Sequence, residues 1–518
     1  MSLVEAYLIT FITSFCILVV EIIAGRMLAP YVGVSLYTWT SIIGVVLSGI
    51  SIGAFFGGRL ADRLPEKKTV GWLLLISGIA VLLISPFINL VASYQFKMAL
   101  MWRILLITTI VFFIPSCLLG MISPAIVRLA LKNLKEAGNV VGRIYAVSTI
   151  GSIVGTFTAG FFLISWAGTR NIIVMLGAVL ILTAAFSGYL FKTKKPAIIF
   201  LLFPSLLLWG VYDAAFKPPV RDDVYFYKES DYFTIKLVEM TGSDESTKLN
   251  AMILDNLLHS YVNLEDPLYL EYKYEKIYAE VLKWRYKKNA RFRTLTIGGG
   301  GYTFPKYMEV FYPNADIDVV EIDPEVTKTA YAYLGLPQKT KIQTYNIDGR
   351  LFVENCRSSY DVIFIDVFND LSLPYHLTTK EFGLQMKRIL NNDGMVISNI
   401  VDDFKKGLFL PSYIKTLREA FGDKNVYLLA VSPDFKDIGI STFIILAVND
   451  NLKIGDFESF LKGGKNKRIV NTVSSVVPMD LLNKIVDGRH SVLLSDDYAP
   501  VDNLLAPVFE ERFGYNKK

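Results

Sequence analysis

The stretch RTLTIGGGGYTFPKYMEVFYPNADIDVVEID, residues 293–323, reads as a β-strand, a glycine turn, a helix and a second strand that ends in acid. A strand running into glycines lets backbone N–H groups at a helix N-terminus approach a ligand closely. An acid one strand later stands where ribose hydroxyls are gripped. This pattern predicts a nucleoside-cofactor site.

Working outward, further strands are predicted at 341–347 (KIQTYNI), 360–367 (YDVIFIDV), 394–400 (GMVISNI), 425–431 (NVYLLAV) and 442–448 (TFIILAV), with helical patterns between most of them. The last two follow one another closely and are expected to pair antiparallel at one edge of a mostly parallel, doubly wound sheet. Ligands of such sheets sit beyond the carboxyl ends of the strands. The chemistry is therefore expected at Gly298 to Gly301, Glu321 to Asp323, Asp348 with Gly349, and Asp366 to Asp370. A nicotinamide fingerprint would need a third glycine, and counting from Gly298 and Gly300 that position is Thr303. An adenosyl-sulfonium cofactor fits better: Asp348 and Gly349 can meet the adenine amino group while Glu321 meets the ribose. Upstream, residues 222–265 alternate in the manner of a small antiparallel sheet, and 268–288 is helix-like.

The rest of the chain differs in kind. Of 518 residues 52% are hydrophobic and only 19% charged, and residues 1–216 are a series of apolar runs. Spanning helices need about 20 apolar residues each. Seven candidates are predicted, at 3–24, 38–58, 69–93, 104–131, 144–167, 171–191 and 196–215, the fourth interrupted by Pro115 and Pro124. Basic residues concentrate after the second, fourth and sixth, which puts the N-terminus in the cytoplasm and leaves the side of the polar half open. Gly49, Gly53 and Gly57, and likewise Gly151 and Gly155, have the spacing of helices that approach closely in lipid. A net charge of +5 without a basic stripe argues against a nucleic-acid partner. Three cysteines, with no CxxC pattern, predict neither a disulfide framework nor a metal site.

VVEID at 319–323, IDGR at 347–350 and YDVIFID at 360–366 resemble the spermidine synthase, or polyamine aminopropyltransferase, family. LDNLLHSYVNLEDP, IGGGGYTFPKY, DVFNDLSLPYHLTTKEF and LLSDDYAP are similar to a subgroup in which that module is fused to a multi-pass membrane region. GGRLADRLPEKK (57–68) and GRIYAVSTIGSIVG (142–155) resemble segments of major facilitator transporters, covering at most half of such a protein. The expected architecture is an α-helical membrane bundle over 1–216, a small β domain over 222–290, and a class I methyltransferase-like, Rossmann-like α/β domain over 291–518.

The resemblance implies decarboxylated S-adenosylmethionine as co-substrate, with intact S-adenosylmethionine the alternative, and a diamine or polyamine as acceptor. It implies that Asp366 is the catalytic acid–base group. Gly298, Gly299, Gly300, Glu321, Asp323, Asp348 and Gly349 would hold the cofactor, and His259, Tyr272, Tyr274, Asn369 and Asp370 would border the amine. His259 stands where the family has glutamine, Asn369 where it has a second aspartate, and Gly301-Tyr302-Thr303 where its glycine loop continues with an acid and two more glycines. The soluble relatives are oligomers, so the resemblance also implies a homo-oligomer. Three functions compete: aminopropyl transfer, methyl transfer from intact S-adenosylmethionine, and polyamine binding or transport without turnover. All three place the protein in a lipid bilayer as an integral, multi-pass protein.

Overall fold

A computed structural model of the chain describes residues 1–92, 94, 98, 100–187, 223–368, 373–432, 434, 439–449, 454–462 and 473–513. It divides into two compact units, Met1–Asp222 with Glu229–Asp231, and Asp223–Lys228 with Tyr232–Lys518.

The first unit is helical. Among the described residues five helices are long and apolar enough to cross a bilayer: Leu3–Val32, Leu36–Arg63, Lys67–Val91, Met101–Ala130 and Leu134–Leu163. The sixth expected span is a shorter apolar helix, Thr169–Ala185, and the seventh, at 196–215, lies outside the described residues. The first helix begins in a capping box: Ser2 Oγ accepts from the Glu5 N–H at 3.2 Å and the Glu5 carboxylate accepts from the Ser2 N–H at 2.8 Å. Pro115 and Pro124 sit within one continuous helix, Leu100–Ala130. Prolines are tolerated there because neighbouring groups in a helical bundle can satisfy the freed carbonyls. The glycine spacing acts as expected. A Cβ on Gly53 would lie 2.1 Å from Cys117 O, and one on Gly151 or Gly155 would lie 2.5 or 2.6 Å from Phe11 O or Phe15 O. These backbones touch because the side chains are missing.

The second unit holds two sheets. Strands β1 (Val224–Glu229), β2 (Thr234–Thr241), β3 (Lys248–Leu254) and β4 (Leu257–Val262) form a four-stranded sheet in chain order, antiparallel from β2 to β4. The larger sheet contains β5 (Arg293–Ile297), β6 (Asp316–Val320), β7 (Gln343–Tyr345), β8 (Tyr360–Ile365), β9 (Leu390–Asp403), β10 (Val426–Ala430), β11 (Ile440–Val448) and β12 (Ser475–Val476), in the order β12-β10-β11-β9-β8-β5-β6-β7. Strands β7, β6, β5, β8 and β9 run parallel. β10 and β11 pair antiparallel, as their short connection requires, but β11 inserts beside β9 and the short β12 takes the edge. β9 reaches 14 residues because it pairs with β11 along much of its length.

Leu295, Ile297, Thr294 and Thr296 are all buried, so β5 is covered on both faces, the signature of a central parallel strand. Ile235, Leu237 and Met252 of the small sheet share one core with Ile277, Tyr278 and Val281 of the helix Lys273–Arg285 and with Ile317, Val319 and Phe364 of the large sheet. The segment expected as a separate β domain is thus bound to the α/β sheet by a common interior.

Candidate active site

The parallel strands β5, β6 and β8 end side by side, and each releases a polar or glycine residue at its carboxyl end. β5 runs into Gly298, whose N–H donates to Val320 O at 2.8 Å, while the Asp366 N–H donates to Ile297 O at 2.9 Å. The turn that follows is left-handed at Gly298 (φ +99°), Gly300 (φ +49°) and Tyr302 (φ +56°). At Gly298 glycine is obligatory for a second reason: a Cβ would stand 2.1 Å from Asp366 O, a backbone atom. The Gly301 N–H is anchored on Ser260 Oγ at 2.7 Å, so the small sheet helps to shape the turn.

Glu321 faces the same turn. Its carboxylate accepts from the N–H groups of Gly299 (2.7 Å), Gly300 (3.3 Å) and Asp323 (3.0 Å) and is almost fully buried. Burial raises its pKa, opposed by these backbone donors. Asp323 is buried and caps the helix Pro324–Tyr333 by accepting from the Glu325 N–H at 2.9 Å. Asp348 caps the helix Gly349–Asn355, accepting from Arg350 N–H (2.9 Å) and Leu351 N–H (3.1 Å), and its Oδ2 lies 3.0 Å from His376 Nε2. A Cβ on Gly349 would meet Ile297 Cγ2 at 2.5 Å, so this helix start is packed against the end of β5.

Asp366 lies at the end of β8, partly exposed. Asn399 Nδ2 donates to its Oδ1 at 2.9 Å, and Tyr274 hydrogen-bonds it as well. Burial raises its pKa to about 6, with Asn399 and Tyr274 opposing. The amide oxygen of Asn399, Oδ1, is buried with no partner among the described residues, an acceptor left over beside the carboxylate. Tyr274 belongs to a run of rings: Tyr261 to Tyr272 (4.8 Å between centroids), Tyr272 to Tyr274 (5.1 Å) and Tyr274 to Tyr278 (5.4 Å). Tyr272 itself is turned away, its hydroxyl donating to Leu258 O at 2.8 Å. His259 is fixed through Nδ1 on Leu257 O at 2.9 Å, and burial lowers its pKa against the Leu257 and Phe368 backbone. Asn369 and Asp370 lie outside the described residues.

Residues that sequence reasoning passed over complete the cluster. Glu275 is 3% exposed and its Oε2 has no partner among the described residues. Burial holds its pKa well above the usual carboxylate range, reinforced by Asp366 and opposed by Lys306. The buried Lys306 donates to Leu334 O, and burial lowers its pKa to about 8. Asn399 lies inside β9, one residue past the last β8–β9 pair, so the strand-end rule does not single it out. Glu275 was hidden by the register of YKYEK, where Tyr274 and not Tyr272 is the tyrosine at Asp366.

Residues 279–449 match the spermine/spermidine synthase domain. The chain is 31% identical over 134 residues to a polyamine aminopropyltransferase of Vibrio vulnificus, covering 25% of this chain and 44% of that protein. It is 21% identical over 470 residues to polyamine aminopropyltransferase 2 of Aquifex aeolicus, covering 86% and 88%. The match thus spans less than half the length of the Vibrio relative and most of the Aquifex one. A probable spermidine synthase from Corynebacterium glutamicum aligns with TM-score 0.43 at 22% identity, covering 53% of this chain and 96% of that chain. Residues 279–449 thus carry a spermine/spermidine synthase domain, preceded in the chain by a helical apolar region.

Proposed function

We propose that the protein is a membrane-embedded aminopropyltransferase that moves the aminopropyl group of decarboxylated S-adenosylmethionine onto a diamine or polyamine. The observation that carries this reading is Asp366, a carboxyl group held by Asn399 and Tyr274 and pressed against the glycine turn. The residues present fit the co-substrate. The turn and Gly349 carry no side chains at close approaches, Glu321 holds the turn and Asp348 presents a carboxylate one strand away. When bound, the co-substrate supplies a sulfonium-activated carbon, so that a C–N bond forms as the C–S bond breaks and methylthioadenosine leaves with the electron pair.

This chain's residues prepare the nucleophile. With a pKa of about 6, Asp366 is ionised at neutral pH and basic enough to take the proton of the attacking amine. The unpartnered Asn399 oxygen can accept an amine N–H, which aligns the nitrogen with the breaking bond. The unpartnered Oε2 of Glu275 can accept a second N–H of the amine, and Tyr274 of the tyrosine run, beside Asp366, offers a ring face to a cation. Glu275→Leu, which removes the acceptor altogether, is expected to raise KM for a diamine by about 10-fold, the loss of one hydrogen bond from a cationic amine, with a smaller effect on a monoamine. An equal effect on both acceptors would remove Glu275 from amine recognition.

The deciding assay uses the full chain recovered from membranes, where alkaline extraction is expected to leave it. Methylthioadenosine release from decarboxylated S-adenosylmethionine, dependent on added diamine, is expected. Release of S-adenosylhomocysteine from the intact cofactor would select methyl transfer instead, and binding without turnover a non-catalytic role.

A further inference from the structure

The motif LLSDDYAP lies beyond the family match, which ends at residue 449, and the chemistry above does not use it. It is nonetheless built into the fold. The Leu494 N–H donates to Thr416 Oγ1 at 2.9 Å, and Leu494 O accepts from the Lys380 N–H at 2.9 Å. Ser495 and Tyr498 exchange backbone hydrogen bonds of 3.0 Å, closing a tight turn, and the Asp496 N–H donates to Glu381 Oε2 at 3.0 Å. The turn holds out Asp496, whose carboxylate receives both terminal nitrogens of Arg350, Nη1 to Oδ1 at 2.6 Å and Nη2 to Oδ2. Thr379 Oγ1 also donates to Asp496 Oδ1, at 2.7 Å.

Arg350 connects this turn to the cofactor side. Its Nη1 donates to His376 O at 2.9 Å and its backbone N–H to Asp348 Oδ1 at 2.9 Å, while His376 Nε2 lies 3.0 Å from Asp348 Oδ2. The helix cap thus fixes one oxygen of Asp348 and His376 the other. We infer that Asp496, Arg350 and His376 are positioning residues that aim the Asp348 carboxylate at the adenine amino group. The inference rests on the proposed cofactor site. An isolated pair as exposed as Arg350 and Asp496 contributes little. A bidentate pair that also anchors a carbonyl has a defined geometry to transmit. Arg350 holds the Asp496 carboxyl below its ordinary pKa, so the link is intact at neutral pH and is lost only on acidification.

The test separates aim from mere support. Methylthioadenosine and methylthioinosine, which carries a 6-oxo group in place of the amino group, are titrated calorimetrically into the full-length protein in detergent. Wild type is expected to prefer methylthioadenosine by about 10-fold or more, the worth of a hydrogen bond to a charged group. Asp496→Asn and Arg350→Lys are each expected to erase most of that preference, the double variant no more than either single one, and Asp496→Glu to restore part of it. His376→Gln, in the half-buried single turn Tyr375–Leu377, should act alike without disturbing the Arg350 pair. Asp497→Asn, an exposed neighbour, should leave the preference unchanged. If the preference survives in Asp496→Asn and His376→Gln, the positioning role is wrong. If wild type binds neither nucleoside, the cofactor reading itself falls and this inference with it.

Discussion

Asp366→Asn is expected to lower kcat/KM for the amine by about 10²–10⁴-fold, the usual contribution of a positioned general base, while methylthioadenosine still binds within a few-fold of wild type. The amide keeps the shape of the side chain and can still accept from Asn399 Nδ2, now 2.9 Å from the carboxylate. What disappears is the ability to take a proton. Because burial raises the Asp366 pKa to about 6, the wild-type rate should climb with pH up to that value and then level, and the variant should lack this limb. The linkage has a definite sign. A carboxyl whose folded pKa exceeds its unfolded value favours the folded state most at low pH, and that contribution is lost as pH rises through about 6. At neutral pH the ionised Asp366 therefore weakens the fold, on the order of 2–3 kcal/mol for a shift of this size. The asparagine variant should be the more stable protein at pH 8 and the less active one. Denaturation at pH 4 and pH 8, read beside the pH–rate profile, checks both halves. Full activity or an unchanged acid limb in Asp366→Asn would mean that another group is the base.

How the site came to be readable follows from where its parts lie along the chain. Gly298, Glu321, Asp348 and Asp366 each stand just after a strand, so a short strand-like run followed by a glycine or an acid was enough to find them. The groups that complete the centre come from elsewhere. Glu275 is in the first turn of a helix that precedes β5, Asn399 is on β9, and Ser260 is on a different sheet. Their convergence depends on how the small sheet and the helix Lys273–Arg285 share a core with the large sheet, and no local spacing encodes that. The two tyrosines illustrate the same point. Tyr272 and Tyr274 have the same local pattern, and only packing decides that one bonds Leu258 O and the other Asp366. Hydropathy alone does not say whether a run such as Thr169–Ala185 is long enough to span, and among the described residues five helices are. The Gly53 and Gly151 contacts were legible, since close helix approach leaves a repeating mark in sequence.

Gly298→Ala should be the most damaging single methyl in the polar half. Calorimetry with methylthioadenosine is expected to show at least about a 100-fold loss of affinity, and the unfolding midpoint should fall. Two costs add. Gly298 has φ +99°, a backbone conformation that L side chains rarely adopt, and forcing it costs about 1–2 kcal/mol. The new Cβ would also lie 2.1 Å from Asp366 O and 2.8 Å from its carbonyl carbon; overpacking of this kind costs about 1–3 kcal/mol. A flexible side chain could give way, but this is the backbone of β8's end, and it cannot retreat without breaking the Asp366 N–H bond to Ile297 O. The strain must therefore open the turn or displace Asp366, and either outcome separates the cofactor from its base. A methyl on Gly488, which would meet nothing within 4 Å, is the matched control and should change neither quantity. The two routes can be told apart by the pH–rate profile of whatever activity remains. An opened turn leaves the limb near pH 6 in place at reduced affinity, whereas a displaced carboxyl moves the limb toward the ordinary pKa of an exposed aspartate. Wild-type affinity in Gly298→Ala would show that the turn and the end of β8 are not pressed together in the working protein, and the placement of Asp366 beside the cofactor would lose its physical basis.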